Sequence, residues 1–356
     1  MKKIKVAIIG QGRSGRDIHG KYFKSAANVN FEVAYVVEAD EFRRNAALSE
    51  YPGCKVFSDY KELFEIKDID LVVNASFSEM HYAITKDLLL HGFNVLCEKP
   101  MARTYFECTD LIKTAKDMGV TLAVFQQSFF APHYMHAKEI VKSGNLGDIM
   151  QVSIRYNNFA RRWDWQTLHK KVAGGLYNTG PHPVGLALGF LDFDENTTIA
   201  FSKLGRAMTS GDADDIAKVI FTAPNKPIVD LEVSSNDAYS PFNIKIQGSR
   251  GTYSVTLTDY KMKYIVDGEN EPKPVIEESL KNPDGFPMYC KENLIAHEEE
   301  GKLEGSVFEI GSEIFYDMLY KKLVDGTPLI VTPEHAAKII NAIETVHAQN
   351  PSPVLF

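Results

Sequence analysis

Two short stretches of the sequence carry the residues best suited to chemistry, a CEKP run at 97–100 and a GGLYNTGPH run at 174–182. In the first, Lys99 follows an apolar run typical of a buried strand, and its amine can hydrogen-bond a hydroxyl and favour the alkoxide. In the second, a spacing of four predicts that Asn178 and His182 share one face of a helix. Histidine can take a hydroxyl proton while a hydride leaves the carbon, and asparagine can bind a hydroxyl. Taken singly, Lys99 as a strand terminator and His182 as a structural histidine are the alternatives.

The neighbours of these residues refine the hypothesis. Glu98 can orient the lysine or a cofactor, and Pro100 fixes the turn and suits a cis Lys-Pro bond. Gly174 and Gly175 would let the backbone come close to a substrate ring.

A glycine-rich turn near the N-terminus predicts a dinucleotide site. The apolar run Ile4–Ile9 leads directly into GQGRSG, which is followed by a helical pattern. Gly10 allows the tight turn, Gly12 lets a pyrophosphate approach the backbone, and Gly15 lets the helix lie close to the strand. The predicted cofactor-binding residues of this turn are Gly10, Gly12, Arg13, Ser14 and Gly15.

The residue after the second predicted strand favours NAD over NADP. The FEVAYVV run ends at Glu38, whose carboxylate can accept hydrogen bonds from ribose hydroxyls and repels a 2′-phosphate. Arg43 and Arg44 follow, and either could instead reach a 2′-phosphate. NADP therefore stays open as the less favoured cofactor.

The nicotinamide half of the cofactor is predicted to lie over the carboxyl ends of the fourth and fifth strands. Small residues follow the fourth strand at Asn74, where they leave room for a ring, and a histidine begins the next helix. That histidine has an equally weighted alternative, a local hydrogen bond at the helix N-terminus. The residues expected to contact the cofactor here are Ala75, Ser76, Phe77, His81, Glu98 and Lys99.

The order of the predicted elements indicates how these residues are positioned. Residues 1–125 alternate apolar strands with amphipathic helices, which predicts a Rossmann domain with a doubly wound parallel sheet, an α/β fold. Residues 126–356 are rich in strands without intervening helices, which predicts an α+β domain with a large, open-faced, mostly antiparallel sheet. A C-terminal helix at 333–349 is expected near the junction, and the acidic run at 298–300 is predicted to be the solvated face of a helix.

Composition narrows the class of protein. With 356 residues and a formal charge of −8, the chain shows no footprint for nucleic acid or an anionic membrane. Its four cysteines form no CxxC pair, which favours a reducing, cytoplasmic setting. His133 and His136 are three apart, but no further ligands accompany them, so no metal site is predicted.

Together these motifs resemble the Gfo/Idh/MocA family of NAD(P)-dependent sugar and polyol oxidoreductases, typified by glucose–fructose oxidoreductase and inositol dehydrogenase. The resemblance spans nearly the whole chain and rests on GQGRSG, Glu38, SEMHY, CEKPMA, KSGNLGDI and GGLYNTGPH. It implies a Rossmann domain followed by an open-faced sheet that packs against a partner's sheet. It also implies that Lys99 and His182 match the family's catalytic lysine and histidine.

The sequence departs from the family pattern at four places. Asn178 stands where an aspartate is frequent, two glycines replace the usual three, and Gly185 replaces a downstream aspartate. Gln166, beside Trp165, replaces an arginine. A tryptophan ring there can cover the apolar face of a sugar, and an interdomain packing loop is the equal alternative. The predicted substrate-binding residues are Lys99, Arg162, Trp165, Gln166, Asn178 and His182.

The leading hypothesis is an NAD-dependent dehydrogenase acting on a secondary hydroxyl of a sugar or cyclic polyol. In it Lys99 polarises the hydroxyl, His182 is the acid–base and Asn178 positions the ring. Two alternatives remain, a redox-assisted sugar lyase or glycosidase with permanently bound NAD and a non-catalytic nucleotide-sensing protein. A homodimer or homotetramer through the open sheet is expected.

Overall fold

The N-terminal part of the chain folds around a parallel sheet. A computed structural model describes residues 3–352 and 355. Six strands lie in the order β3-β2-β1-β4-β5-β6, all parallel, which confirms the doubly wound prediction. The strands are β1 (Ile4–Ile9), β2 (Phe31–Val37), β3 (Lys55–Phe57), β4 (Leu71–Asn74), β5 (Val95–Cys97) and β6 (Leu122–Val124).

Helices connect these strands and cover the sheet. The segment after the glycine turn is a π-helix over Arg13–His19 that continues directly into α1. Thr104 and Glu107 form a reciprocal capping box at the start of the longest of these helices, and Gly119 ends it in the left-handed conformation. The helices are α1 (Gly20–Phe23), α2 (Glu41–Glu50), α3 (His81–Leu90) and α4 (Tyr105–Met118).

The rest of the chain builds a larger sheet. Eight strands lie in the order β14-β13-β12-β11-β7-β10-β9-β8, antiparallel except where β7 pairs with β10. Alternate residues of β9 are buried, as expected for strands with one covered face. The elements are α5 (Pro132–Ser143), β7 (Ile149–Asn157), α6 (Gly175–Asn178), α7 (Pro181–Phe190), β8 (Thr198–Gly205), β9 (Ile216–Thr222), β10 (Ile228–Ser234), β11 (Ile244–Gly248), β12 (Gly251–Val255), β13 (Asp259–Tyr264), β14 (His297–Lys302), α8 (Ile310–Asp325) and α9 (Pro333–Gln349).

The C-terminal helices return to the first sheet and join the two parts of the molecule. Phe315 and Tyr316 of α8 share a core with Ile8 and Phe125 of the parallel sheet. Helix α9, predicted at the same bounds, packs against α4 of the first part and α7 of the second. The boundary at residues 125 and 126 stays a prediction.

Two local predictions are wrong. Asn178 and His182 do not share a helix, because α6 ends at Asn178 and α7 begins at Pro181, whose ring cannot continue the preceding hydrogen-bond ladder. Residues 298–300 lie in edge strand β14 rather than in a helix. There Glu298 and Glu300 lie opposite Lys263 and Lys261, so cross-strand charge pairs stabilise an otherwise unfavourable acidic strand.

No helix within residues 3–352 is long and apolar enough to cross a membrane.

Candidate active site

The candidate site lies where the carboxyl end of β5 meets helix α6. Lys99 follows β5, and its side-chain amine donates a 2.8 Å hydrogen bond to the main-chain oxygen of Asn178 at the end of α6. The structure therefore brings together Lys99 and Asn178, which the sequence placed 79 residues apart. Lys99 is partly buried, and its peptide bond to Pro100 is cis.

A buried relay fixes Glu98 behind the lysine. One carboxylate oxygen, Oε2, accepts the Lys99 main-chain N–H at 2.9 Å, and the other, Oε1, lies 3.2 Å from Nε2 of His19. The second ring nitrogen of His19 lies 2.7 Å from the hydroxyl of Tyr316 in α8. With the Tyr316 hydroxyl donating to Nδ1, the His19 proton sits on Nε2 and faces the carboxylate.

This environment keeps Glu98 ionised. Burial alone would raise the pKa of the carboxyl, but the His19 ring and the Lys99 amine outweigh it and lower that pKa to about 2. The fixed negative charge lies directly behind the main chain of Lys99.

The environment of Lys99 lowers the pKa of its amine below that of an exposed lysine. Burial lowers its pKa, and the positive charges of Arg13 and Arg162 lower it further, while Glu98 opposes them. A lower pKa makes the ammonium a stronger hydrogen-bond donor and acid towards a substrate oxygen.

His182 is the second residue of helix α7, with Nδ1 3.2 Å from the hydroxyl oxygen of Ser128. Burial and the neighbouring charge of Lys99 lower the pKa of the imidazole to about 3. The ring is therefore neutral at ordinary pH. When Nδ1 donates its proton to Ser128, Nε2 keeps a lone pair that can accept one.

His81 anchors the loop that carries Lys99. The ring is buried at the start of α3, with Nδ1 2.7 Å from the carbonyl oxygen of Pro100 and Nε2 3.1 Å from that of Ser76. Burial lowers the pKa of His81, and a neutral ring donates only one proton, which the shorter distance assigns to Nδ1. His81 therefore ties the segments after β4 and β5 together.

The segment after β4, which is predicted to contact the cofactor, also contacts the second part of the chain. Phe77 is half exposed and packs edge-on against Trp165, with 5.1 Å between ring centroids. Nearby, the amine of Lys171 lies 2.5 Å from the Glu79 carboxylate. Trp165 thus makes the interdomain packing contact that was one of its two alternatives.

A polar cavity of about 150 Å³ opens beside Asn178. Gln166 donates from Nε2 to Oδ1 of Asn178 at 2.9 Å, which orients that amide, and Arg162 makes a two-pronged ion pair with Asp164. The charged and amide side chains that line the cavity are Asn158, Arg162, Gln166, Asn178, Asp214 and Asp215. Of the predicted substrate-binding residues, Arg162, Gln166 and Asn178 line this cavity, whereas Lys99, Trp165 and His182 do not. Such hydrogen-bonding groups suit a polyhydroxylated molecule.

The residues of the glycine turn fit a dinucleotide. A Cβ atom on Gly15 would lie 1.9 Å from the oxygen of Gly10, and one on Gly10 would lie 2.5 Å from the oxygen of Ala75, so neither position tolerates a side chain. Around Gly12 the space is open, as a pyrophosphate requires. A cavity of about 380 Å³ extends from this turn to Arg43.

Glu38 is held in place by three donors. Its carboxylate accepts the main-chain N–H of Gln11 at 2.8 Å, that of Asp40 at 2.9 Å, and Nη2 of Arg43 at 2.8 Å. Burial would raise the pKa of Glu38, but these hydrogen bonds lower it, so the carboxylate is ionised. Arg44 is occupied by carbonyl oxygens at the end of the strand. Both arginines are thus engaged by the protein.

Sequence reasoning missed three residues of the site: His19, Ser128 and Tyr316. His19 and Tyr316 contact each other across 297 residues, and only the docking of α8 on the first sheet brings them together. Ser128 follows β6 in a short 3₁₀ turn and carries no motif. A buried polar side chain gives no signal in a single sequence when its partner lies on another element.

The environment of Gly185 accounts for one departure from the family pattern. A Cβ there would lie 2.9 Å from Cδ1 of Ile339 and 3.0 Å from the ring of Phe129. A side chain at position 185, where the family resemblance leads us to expect an aspartate, would therefore require Ile339 of α9 and Phe129 to shift.

Comparisons with known proteins agree with this architecture. Residues 4–126 match the model described as an oxidoreductase family with an NAD-binding Rossmann fold, and residues 134–254 match the GFO/IDH/MocA C-terminal domain. The scyllo-inositol 2-dehydrogenase (NADP(+)) IolW of Bacillus subtilis is 25% identical over 96% of this chain and 92% of its own. The 2,7-anhydro-N-acetylneuraminate hydratase of Mediterraneibacter gnavus is 24% identical over 81% of this chain and 77% of its own. A crystal structure of an NAD-binding protein from Listeria innocua shares the fold, with a TM-score of 0.79, 22% identity and 98% coverage of both chains.

Proposed function

The chain belongs to the Gfo/Idh/MocA oxidoreductase family, and on that premise we propose that it is an NAD-dependent dehydrogenase of a secondary hydroxyl in a sugar or cyclic polyol. The observation that carries the proposal is that an amine with a lowered pKa, on Lys99 after β5, lies near a neutral imidazole, on His182 in α7. Lys99 donates to the oxygen of Asn178, and His182 lies close enough to Lys99 for the amine to depress its pKa.

The side chains have distinct roles in this proposal. Bound NAD supplies the hydride acceptor. Lys99 donates a hydrogen bond to the reacting hydroxyl oxygen and stabilises the negative charge that develops there. His182 accepts the hydroxyl proton at Nε2 and returns it in the reverse direction. Arg162, Gln166 and Asn178 bind the remaining hydroxyls and orient the ring.

Glu38 supports NAD as the preferred cofactor. Its carboxylate is fixed at the end of β2, where it can accept ribose hydroxyls and would repel a 2′-phosphate. Arg43, the residue best placed to bind that phosphate, is paired with Glu38 instead. The relative IolW is named for NADP(+), so we propose that this chain differs from it in cofactor preference.

We further propose a homo-oligomer formed through the open face of the second sheet. Helices α5 and α7 pack on one face, and the other carries a half-buried ion network of Arg155, Lys218, Asp230 and Glu232. Such a network suits a self-complementary two-fold contact. Light scattering should give a mass above the monomer's, and Arg155→Glu should lower it; a monomeric wild type would contradict this part of the proposal.

The free cysteines support a reducing compartment. Cys54, Cys97 and Cys108 are buried thiols and Cys290 is an exposed one. We propose on this basis that the protein acts in the cytoplasm.

A second candidate keeps the redox step but changes the net reaction. The similarity to a 2,7-anhydro-N-acetylneuraminate hydratase favours it. In that case NAD would remain bound through turnover, and the sugar would lose a group by elimination or gain water without net formation of NADH. Cofactor that copurifies and resists dialysis would favour this candidate.

The test is a survey of carbohydrates with free cofactor. Purified protein is mixed with NAD or NADP and with inositols, aldoses, ketoses and sugar acids, and NADH formation is followed by near-ultraviolet absorbance. A rise with NAD and at least one carbohydrate supports the dehydrogenase. Flat traces with tightly bound NAD would favour the second candidate, and flat traces with reversible NADH binding would favour a nucleotide sensor.

A further inference from the structure

The carboxyl of Asp214 lies buried beneath the turn that begins helix α6. Its Oδ2 accepts the main-chain N–H of Leu176 at 2.8 Å, and its own main-chain oxygen accepts the N–H of Gly175 at 2.6 Å. One residue thus binds two donors at the start of the helix that ends in Asn178. Asp214 also lines the polar cavity beside Asn178, but the proposed chemistry gives it no role.

The two glycines of the GG motif are shaped to this carboxyl. A Cβ on Gly174 would lie 2.6 Å from Oδ1 of Asp214, and one on Gly175 would lie 3.2 Å from Oδ2. Gly174 also has a φ of +107°, which a side chain would strain. The Asp214 carboxyl is therefore a close neighbour of these glycines, which also line the polar cavity beside Asn178.

The second oxygen of Asp214 faces a histidine rather than solvent. Within residues 3–352, Oδ1 has no hydrogen-bond partner, and neither does Nε2 of His347, which lies 3.8 Å away. The side chain of Asp214 is 3% exposed and that of His347 is 18% exposed, and the two facing atoms are themselves buried. At 3.8 Å the two atoms are too far apart for a hydrogen bond. A proton on one of them and a small movement of the side chains would let the bond form.

The groups around Asp214 and His347 favour a change of protonation at this pair. His347 in the last turn of α9 stacks on Tyr177 at 4.9 Å, and His169 meets it edge-on at 5.8 Å. Asp215, next in sequence, accepts three main-chain N–H groups and faces away. Burial and the charge of Asp215 raise the pKa of Asp214 to about 7, and burial and His169 lower that of His347 to about 4.

We propose that Asp214 and His347 hold one proton between them and position the substrate end of α6, so that the placement of Asn178 follows the protonation of Asp214. When ionised, the carboxylate makes a charge-assisted bond to the Leu176 N–H. When protonated, it weakens that bond and donates to Nε2 of His347, closing the 3.8 Å gap. Helix α6 spans only Gly175–Asn178, so a change at its first turn reaches the carbonyl that holds Lys99.

The consequence for the substrate rests on the proposed function, but the positioning itself can be measured without substrate. Amide resonances of ¹⁵N-labelled protein are followed between about pH 5 and about pH 9. We expect the Leu176 and Asn178 amides to titrate together with a midpoint near neutrality. In Asp214→Asn both should lose that titration, and in His347→Gln the midpoint should move by at least about half a unit.

The matched control is His335→Gln, which changes another partly buried histidine at the opposite end of α9. It should leave the Leu176 titration unchanged. If the Leu176 amide does not titrate in the wild type, or still titrates in Asp214→Asn, the proposal is wrong. Should Asp214→Asn fail to fold, an unshifted midpoint in His347→Gln would overturn it equally. If the amides titrate as expected but no carbohydrate is turned over, the proposal for Asp214 and His347 is supported and the proposed function is contradicted.

Discussion

The amine of Lys99 lies 2.8 Å from the main-chain oxygen of Asn178 and donates a hydrogen bond to it. This bond joins the carboxyl end of β5 in the parallel sheet to helix α6 of the second part. The position of the amine therefore depends on both parts, and any movement of α6 changes where the amine points.

Replacement of Lys99 by methionine tests its direct role. Lys99→Met keeps most of the side chain's volume and removes the donor, so turnover should fall by about 100-fold to 10,000-fold. NADH binding, measured by fluorescence titration, should fall far less than turnover even though Lys99 is also expected to contact the cofactor, because Glu38 and the glycine turn are untouched. Lys113→Met, at a lysine exposed on α4, is the control and should not affect turnover. A Lys99→Met enzyme as fast as the control would contradict the assignment.

The pH profile tests the state of His182. Because burial and Lys99 lower the pKa of His182 to about 3, the ring is already deprotonated, and able to accept a proton, throughout the usual assay range. In the free enzyme kcat/KM should therefore show no acid limb near the ordinary histidine pKa of about 6.5. His182→Gln should lower kcat by about 100-fold or more at every pH tested. An acid limb near 6.5 that disappears in His182→Gln would show that the histidine is not held neutral.

Cofactor preference should depend on Glu38. Glu38→Ala removes the acceptor for the ribose hydroxyls and frees Arg43, now paired with it at 2.8 Å, to meet a 2′-phosphate. The variant loses the hydrogen bond that Glu38 accepts from the ribose of NAD and gains one that Arg43 donates to the 2′-phosphate of NADP. The NADP-to-NAD ratio of kcat/KM should therefore rise by about 10-fold to 100-fold. Arg44→Lys is the control, since Arg44 binds only carbonyl oxygens here. An unchanged ratio in Glu38→Ala would show that another group selects the cofactor.

Glu98 should make stability depend on acid. Its pKa in the folded protein is about 2, below the value of 4.5 for an unperturbed carboxyl, so the ionised form favours folding. The contribution is present above about pH 4.5, amounts to about 3 kcal/mol, and is lost as the pH falls through about 2. Urea unfolding of wild type and Glu98→Gln at neutral and acid pH measures it. The difference between them should shrink on acidification; a constant difference would mean that Glu98 is not the titrating group.

Restoring the family's aspartate at position 185 should destabilise this chain. Gly185→Asp would push a Cβ and a carboxylate against Ile339 and Phe129, where the available gap is about 3 Å. Overpacking together with an unpaired buried charge should lower the free energy of unfolding by about 2 kcal/mol or more. Gly326→Asp is the control for the effect of replacing any glycine by aspartate, because the space around Gly326 is open. Its positive φ adds some backbone strain. Equal stabilities would show that α9 yields easily.

The regular parts of the fold could be predicted from the sequence because their patterns are local. Strand β2 and helix α9 lie at the predicted bounds, since continuous apolar runs and a 3.6-residue period leave little choice. The prediction of one helix across Asn178 and His182 is wrong because a new helix begins at Pro181, and this proline is visible in the sequence. Strand β14 could not be anticipated because its glutamates form a strand only beside the lysines of β13.

The site was predictable only where a motif carried it. The positions of Lys99, Glu38 and the glycine turn follow from the strand-to-helix connections in which they lie. The residues that contact the site from behind, such as Tyr316 beside His19 and Asp214 beside Gly174 and Gly175, come from other elements. Their contribution depends on how α8 and β9 dock, which no local pattern records.

The most direct test of the central claim is one paired measurement on wild type, Lys99→Met and His182→Gln. NADH binding and carbohydrate-dependent NAD reduction are recorded for all three on the same panel. We predict that wild type reduces NAD with at least one sugar or cyclic polyol, and that both variants still bind NADH but turn over at least about 100-fold more slowly. Variants that bind NADH and turn over as fast as wild type would contradict it.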